Sequence, residues 1–102
     1  MLHSTFFVAI VLGASLAAAQ PAQPQLARSL AATCANCHGT NGASAGGTAS
    51  LAGMPSADLV ASMQAFKAGT RSATIMHQLA KGYTDEQIAL LAGWFAAQKA
   101  AR

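Results

Sequence analysis

Apolar residues after residue 25 recur three and four positions apart, a spacing that places them on one face of a helix. Leu26, Leu30 and Cys34 follow this spacing and predict a first helix from Leu26 to about Cys34. No stretch of the chain shows the convincing alternation of apolar and polar residues that is typical of a half-buried strand. The pattern therefore predicts an all-α protein.

A second helix is predicted just after a proline. Ser56 can cap its start, and Asp58 lies where a carboxylate stabilises the positive end of the helix dipole. Gly69 ends this helix, and a shorter helical piece follows at about residues 73–80, closed by Gly82. The apolar face of the second helix consists of three residues at helical spacing, Leu59, Met63 and Phe66.

The last helix has the clearest start. Thr84 and Gln87 are three apart and predict a capping box, in which each side chain accepts a hydrogen bond from the other's backbone amide. The helix is predicted to run to about Ala100, with Lys99 near its negative end. Its apolar face holds Ile88, Leu91 and Phe95, with Trp94 beside them.

The amino terminus has the pattern of an export signal. An apolar run over residues 6–16 is followed by three alanines, so we predict a signal peptide over residues 1–19 with cleavage after Ala19. The first five residues carry no Lys or Arg, and the alternative interpretation is an uncleaved membrane anchor. Residues 20–25 are polar and punctuated by proline, which predicts a linker before a domain over residues 26–102.

Charge and composition limit the class of protein. Six Lys or Arg against three Asp or Glu give a formal net charge of +3, too sparse for the dense basic face of a nucleic-acid-binding protein. Aromatic residues are 6 % of the chain and many of the apolar ones are alanine, so the side chains alone would build a thin core. A domain of this size usually needs a disulfide, a metal or another filler.

The chemistry is concentrated in one motif, Cys34-x-x-Cys37-His38, which contains both cysteines of the chain. Two thiols at this spacing can each add to one vinyl group of a haem, and the adjacent imidazole then lies beneath the iron. A large, flat and mostly apolar haem would also supply the filler that the thin core lacks. The motif therefore predicts one covalently bound haem c.

Other uses of the two thiols remain open at this point. A redox dithiol of the thioredoxin kind would sit in a βαβ context, and no strand-rich segment precedes Cys34. A zinc site needs four ligands, and beyond the motif only His77 and His3 remain as histidines. A plain disulfide would explain the cysteines and leave His38 as a coincidence. The remote alternative is therefore a non-haem dithiol or zinc-binding protein.

Residues 39–53 contain five glycines and no charge, which predicts an irregular loop, and a loop of this length in a small domain usually has a function. We expect it to pack around the side of the haem that His38 occupies. For the other side of the iron Met76 is the candidate ligand, in a short segment between two glycines. Met54 is the main rival, and His77, the neighbour of Met76, also stays open.

Six segments carry a family resemblance: Cys34-Ala35-Asn36-Cys37-His38-Gly39, Leu51-Ala52-Gly53, Phe66-Lys67-Ala68-Gly69-Thr70-Arg71, Met76, Tyr83-Thr84-Asp85-Glu86-Gln87-Ile88 and Trp94-Phe95-Ala96-Ala97-Gln98. Through them the chain resembles, over residues 26–98, the class I c-type cytochromes of the small bacterial kind. The resemblance implies a cytochrome c fold of about four short helices wrapped around one haem c. It implies that Cys34 and Cys37 attach this haem, that His38 and Met76 are its axial ligands, and that the first and last helices cross and pack.

The resemblance implies a periplasmic carrier that transfers one electron at a time and whose haem iron is low-spin. Its partners would be redox proteins such as an oxidase, a reductase or a flavoprotein subunit. A narrower likeness, from Met76 to Ile88, is to the cytochrome subunit of flavocytochrome c sulfide dehydrogenases and gives the alternative function. The chain itself is predicted not to be an enzyme. Association with a membrane would require that the signal segment is retained.

Two positions depart from the family pattern. Many relatives have a proline where this chain has Ala49, so the carbonyl thought to orient the proximal histidine is expected to be held less rigidly. Trp94 stands where the last helix of relatives often has tyrosine.

Three cations, Lys67, Arg71 and Lys81, flank the candidate ligand Met76. One interpretation is that they form a weakly basic rim for an acidic partner, and the other is that they are three solvated charges.

Overall fold

The computed structural model describes residues 23–100, and every regular element in this range is helical. The α-helices are α1 Gln23–Ala32, α2 Ala35–His38, α3 Ser56–Ala68, α4 Met76–Leu79 and α5 Asp85–Ala96, and 3₁₀ turns cover Thr40–Gly42 and Ala80–Gly82. The prediction of an all-α protein is confirmed. There is one helix more than predicted, because the chain bends at Thr33 and Cys34 and so separates the turn of the motif from α1.

The first helix lies earlier in the chain than predicted. α1 includes Gln23 and ends at Ala32, so the described part of the predicted linker is helical. Pro24 is tolerated there because the first turn of a helix makes no internal use of the amide that proline lacks. The predicted signal peptide and the rest of the linker lie outside the described residues. Among residues 23–100 no helix has both the length and the apolar character needed to cross a bilayer.

The core forms where α5 packs against both α1 and α3. The predicted face of α5 is confirmed, since Ile88, Leu91 and Phe95 are each at most 2 % exposed. α1 buries Ala27 and Ala31, whereas its leucines are only half-buried. The first and last helices do pack together, as the resemblance implies, and small side chains at their contact let the two backbones approach closely.

The chain ends its helices as predicted at two glycines and departs from prediction at one serine. Gly39 (φ 81°) and Gly69 (φ 74°) both follow helices in a positive-φ conformation that costs glycine little. The predicted cap at Ser56 is wrong: Pro55 holds the capping position, and the Ser56 hydroxyl donates to the Ala92 carbonyl at 3.3 Å. This hydroxyl therefore ties α3 to α5 and does not close its own helix.

α5 starts as predicted and ends about one turn earlier. Thr84 Oγ1 accepts a hydrogen bond from the Gln87 amide at 3.1 Å, and Gln87 Oε1 accepts one from the Thr84 amide at 2.9 Å, so the capping box is confirmed. The helix ends at Ala96, and the Phe95 carbonyl accepts from the Gly53 amide at 2.8 Å. A loop distant in sequence thus provides a hydrogen bond to the last turn of α5. A local sequence pattern cannot predict such a long-range contact.

Asp85, the first residue of α5, links this helix to α3. Its Oδ1 accepts a hydrogen bond from Gln64 Nε2 at 2.8 Å, and Lys67 Nζ lies 3.5 Å from the same oxygen. The hydrogen bond from Gln64, followed by the charge of Lys67, lowers the pKa of Asp85 below its ordinary value. The carboxylate form is therefore the one that favours folding, although its solvent exposure keeps the effect small.

We expect Asp85→Asn to remove a pH-dependent part of the stability. Because the folded pKa of Asp85 lies below the unfolded one, this stability is fully present above the ordinary carboxyl pKa and is lost as pH falls through the folded pKa. Denaturant titrations of the intact protein from neutral pH to about pH 3 measure it. Asp58→Asn, which removes another exposed first-turn carboxylate, is the matched control. If both variants flatten the pH profile equally, the assignment to Asp85 fails.

Candidate functional site

A cavity of about 490 Å³ collects the residues that the sequence singles out. Its volume falls in the range of about 300–1,000 Å³ that is typical of small-molecule and cofactor sites. Cys34, Cys37, His38 and Met76 all line it, and so does the rival Met54. The rest of the wall is mostly apolar, with Leu51, Leu59, Met63, Phe66, Leu91 and Phe95 among its members.

His38 ends α2 and is oriented by the loop that follows. Its Nδ1 lies 2.6 Å from the carbonyl oxygen of Ala49, which can only accept a hydrogen bond, so Nδ1 carries the proton. The lone pair of the imidazole is therefore on Nε2, the form in which this nitrogen binds a metal. The Ala49 carbonyl reaches the ring although no proline stiffens this position.

The loop that carries Ala49 is held against α5 through a close approach at Gly42. The Gly42 carbonyl accepts hydrogen bonds from the amides of Leu51 at 2.8 Å and Ala52 at 3.2 Å. Gly42 has a φ of 78°, and a Cβ there would lie 2.8 Å from the Phe95 ring and 2.9 Å from the Ala52 nitrogen. Only glycine permits this approach. The predicted irregular loop therefore packs beside His38.

Cys34 and Cys37 lie at the cavity wall, the first half-buried and the second exposed, and they form no disulfide. Burial raises the pKa of the Cys34 thiol above its ordinary value, and the charge of Cys37 adds to this. Redox dithiols instead depend on a thiol of lowered pKa. Within residues 23–100, no group of three or more His, Cys, Asp or Glu side chains is arranged to hold a metal ion, as a zinc site would require.

Methionine sulfur is the other ligand type at the wall. Met76 begins α4 and is half-buried, Met54 is half-buried in the loop before α3, and Met63 lies in the core at 8 % exposed. His77 is not among the described residues that line the cavity, and its buried Nδ1 has no hydrogen-bond partner. Among the residues that the structure describes, the wall thus offers soft thioether sulfur, and His38 is its one imidazole.

Polar residues for which the sequence predicts no role at the haem also line the cavity. The Tyr83 hydroxyl lies 2.9 Å from Thr33 Oγ1. Arg71 Nη1 donates to Ser62 Oγ at 2.8 Å, and its guanidinium carbon lies 4.9 Å from the centre of the Phe66 ring. Among the described residues of the wall, Arg71 alone carries a permanent charge. The cavity therefore has one fixed cationic point in an otherwise largely apolar lining.

The three cations near the candidate ligand have different surroundings. Lys67 Nζ donates to the Tyr83 carbonyl at 2.8 Å and pairs with Asp85, so this lysine connects α3 to the start of α5. It is therefore not a freely solvated charge. Arg71 belongs to the cavity wall, and Lys81 is exposed.

The donor set of the cavity fits a haem. Two cysteines separated by two residues lie beside an imidazole whose Nε2 has a lone pair, and the wall also holds thioether sulfur. The apolar lining suits the porphyrin, and the Arg71 guanidinium is a suitable countercharge for its propionates. Cys34, Cys37 and His38 are the residues placed to hold the group.

Comparison with known sequences gives the same class of protein. The Cytochrome c family matches residues 26–97, and the chain belongs to that family. It is also 39 % identical over 82 residues to the cytochrome subunit of sulfide dehydrogenase from Chlorobaculum tepidum, and the alignment covers 76 % of this chain and 74 % of that protein. The resemblance to c-type cytochromes is confirmed. The chain is an electron-transfer protein whose cofactor is haem c, bound through Cys34 and Cys37.

Haem is expected to stay with the polypeptide through acid-acetone extraction and denaturing electrophoresis. Cys34→Ser combined with Cys37→Ser should abolish this and leave an unstable apoprotein, because the thin core loses its filler. Each single variant should retain haem through one thioether, with the reduced pyridine complex absorbing at longer wavelength because one vinyl group stays free. Haem that extracts freely from the wild-type protein would contradict covalent attachment.

Proposed function

We propose that this protein is an exported one-electron carrier in which His38 and Met76 occupy the two axial positions of a low-spin haem iron. The observation that most directly supports it is the 2.6 Å contact from His38 Nδ1 to the Ala49 carbonyl, which leaves Nε2 for the iron. Export is proposed from the apolar amino-terminal run and its alanines, and a periplasmic location follows from it.

The bound haem supplies the one-electron couple, and the chain tunes it. The buried side chains of Leu59, Leu91 and Phe95 give the wall a low polarity, which disfavours the additional positive charge of the oxidised state. The thioether of Met76 is a soft ligand and favours ferrous iron. Both effects raise the reduction potential, as suits a carrier that accepts electrons readily.

Met76 is preferred to Met54 because of the segments that carry them. Met54 belongs to the loop on the His38 side, where its amide donates to the Leu51 carbonyl at 3.0 Å. Met76 begins α4, which packs on α3 and continues into a 3₁₀ turn whose Ala80 is 0 % exposed. A sixth ligand has to come from a segment other than the one that fixes the fifth. The α4 segment meets this condition.

Met76→Ala should open the sixth position, lower the reduction potential and let carbon monoxide bind the ferrous protein. The ferric sulfur-to-iron charge-transfer band should disappear. Met54→Ala is the matched control, because it also removes a half-buried methionine from the cavity wall, and it should leave the band in place. Because each variant removes packing contacts, each is expected to lose about 2–5 kcal/mol of the free energy of unfolding. The spectrum, and not the stability, therefore identifies the ligand. A band that survives Met76→Ala would favour Met54.

A second candidate function is the electron-accepting subunit of a sulfide-oxidising flavoprotein. The 39 % identity to the cytochrome subunit of a sulfide dehydrogenase favours it. In that role the partner would oxidise sulfide and this chain would only take up the electrons. The two functions use the same haem site and differ in whether the partner stays bound.

Purification of the exported protein from its own host distinguishes the two functions. A free carrier should elute at the mass of the monomer and contain no flavin, and added sulfide should reduce its haem only slowly. A subunit should co-elute with a flavin-containing chain, and sulfide should reduce its haem rapidly.

The intact mass of the exported protein tests cleavage of the signal peptide. It should correspond to a mature chain that begins at or near Gln20 with haem attached, and a mass that includes residues 1–19 would show a retained anchor.

A further inference from the structure

A side-chain hydrogen bond joins two parts of the chain that lie 50 residues apart. The Tyr83 hydroxyl is 2.9 Å from Thr33 Oγ1, and both residues line the haem cavity. Thr33 also donates to the Leu30 carbonyl at 2.9 Å. Because a carbonyl oxygen only accepts and Thr33 has a single hydroxyl proton, Tyr83 is the donor in the bond between them.

Each partner of this bond belongs to a segment that carries a residue of the proposed haem site. Thr33 immediately precedes Cys34, one of the two attachment points. Tyr83 closes the segment that begins with Met76, which we call the ligand arm. The backbone of Tyr83 is fixed as well, since its carbonyl accepts from Lys67 Nζ at 2.8 Å. Tyr83 is therefore held at both its main chain and its hydroxyl.

We propose that the Tyr83 hydroxyl is a positioning group that holds the ligand arm against the haem-attachment turn and so keeps Met76 on the iron. This inference rests on the proposed function, in which Met76 binds the iron. With haem attached at Cys34, the bond closes a ring that runs from Thr33 through the haem and the ligand arm to Tyr83. Release of Met76 requires the arm to move away from the turn, and the Tyr83–Thr33 bond opposes that movement.

Competition between Met76 and added imidazole for the ferric iron measures how firmly the arm is held. Tyr83→Phe removes the donor and Thr33→Val removes the acceptor, with little change in size. We expect each to raise the imidazole affinity of the holoprotein about two- to tenfold, the range of one neutral hydrogen bond. The double variant should bind imidazole no more tightly than the stronger single variant, because both changes remove the same bond. Thr33→Ser keeps the hydroxyl and should behave like wild type.

Thr70→Val is the matched control for the threonine change. Thr70 donates to the Ala65 carbonyl at 3.3 Å, much as Thr33 donates to Leu30, but it is not part of the described cavity wall. Its imidazole affinity should equal that of the wild type. A bond that only stabilises the fold would lower the denaturant midpoint of Tyr83→Phe and leave its imidazole affinity unchanged. That result, or additive effects in the double variant, would overturn the proposal.

Met76→Ala separates this inference from the proposed function. If Met76 is the ligand, this variant should bind imidazole more tightly than Tyr83→Phe, because no internal ligand competes. If Met76→Ala behaves in this way and Tyr83→Phe binds imidazole like wild type, only the positioning role is wrong. If Met76→Ala keeps the wild-type affinity and charge-transfer band, Met76 is not the ligand, and the positioning role falls together with the proposed ligation.

Discussion

The hydrogen bond from His38 Nδ1 to the Ala49 carbonyl is the interaction on which the site depends. It assigns the imidazole proton to one nitrogen and leaves the other nitrogen to a metal. The carbonyl is in place because the loop folds back on Gly42 and because the Gly53 amide donates to the Phe95 carbonyl. The orientation of one ring therefore draws on the packing of the last helix, and the stability of the fold is coupled to the chemistry of the iron.

The hydrophobic core and the cofactor wall are built from the same residues. Leu59, Met63, Leu91 and Phe95 are each at most 8 % exposed, and all four line the cavity. The buried residues that the first helix adds are alanines, and its Leu30 packs against the core while half-buried. A small domain of this composition has little apolar area to spare, so the haem completes the core as well as supplying the redox chemistry. Haem binding and folding are then linked, since a group that binds the folded state stabilises it.

How much could be predicted from the sequence depends on how far apart in the chain the interacting residues lie. The apolar faces of α3 and α5, the capping box of α5 and the haem motif are patterns within a few residues of one another, and the structure contains them. The bonds from Ser56 to Ala92 and from Tyr83 to Thr33 join residues 36 and 50 apart, and no periodicity records such pairs. Lys67 presents the same difficulty, because its carbonyl partner is known only once the chain is folded.

The polar groups of the cavity wall are largely occupied with one another, in three pairs: Arg71 with Ser62, Tyr83 with Thr33, and His38 Nδ1 with Ala49. Among the described residues of the wall there is no carboxylate, and His38 is the one imidazole. Electron transfer through a cofactor requires that the cofactor is held and that its surroundings are fixed. The wall meets this requirement. The same interior suits both proposed functions, a free carrier and a permanent subunit, and the two would differ on the outer surface, where a partner would bind.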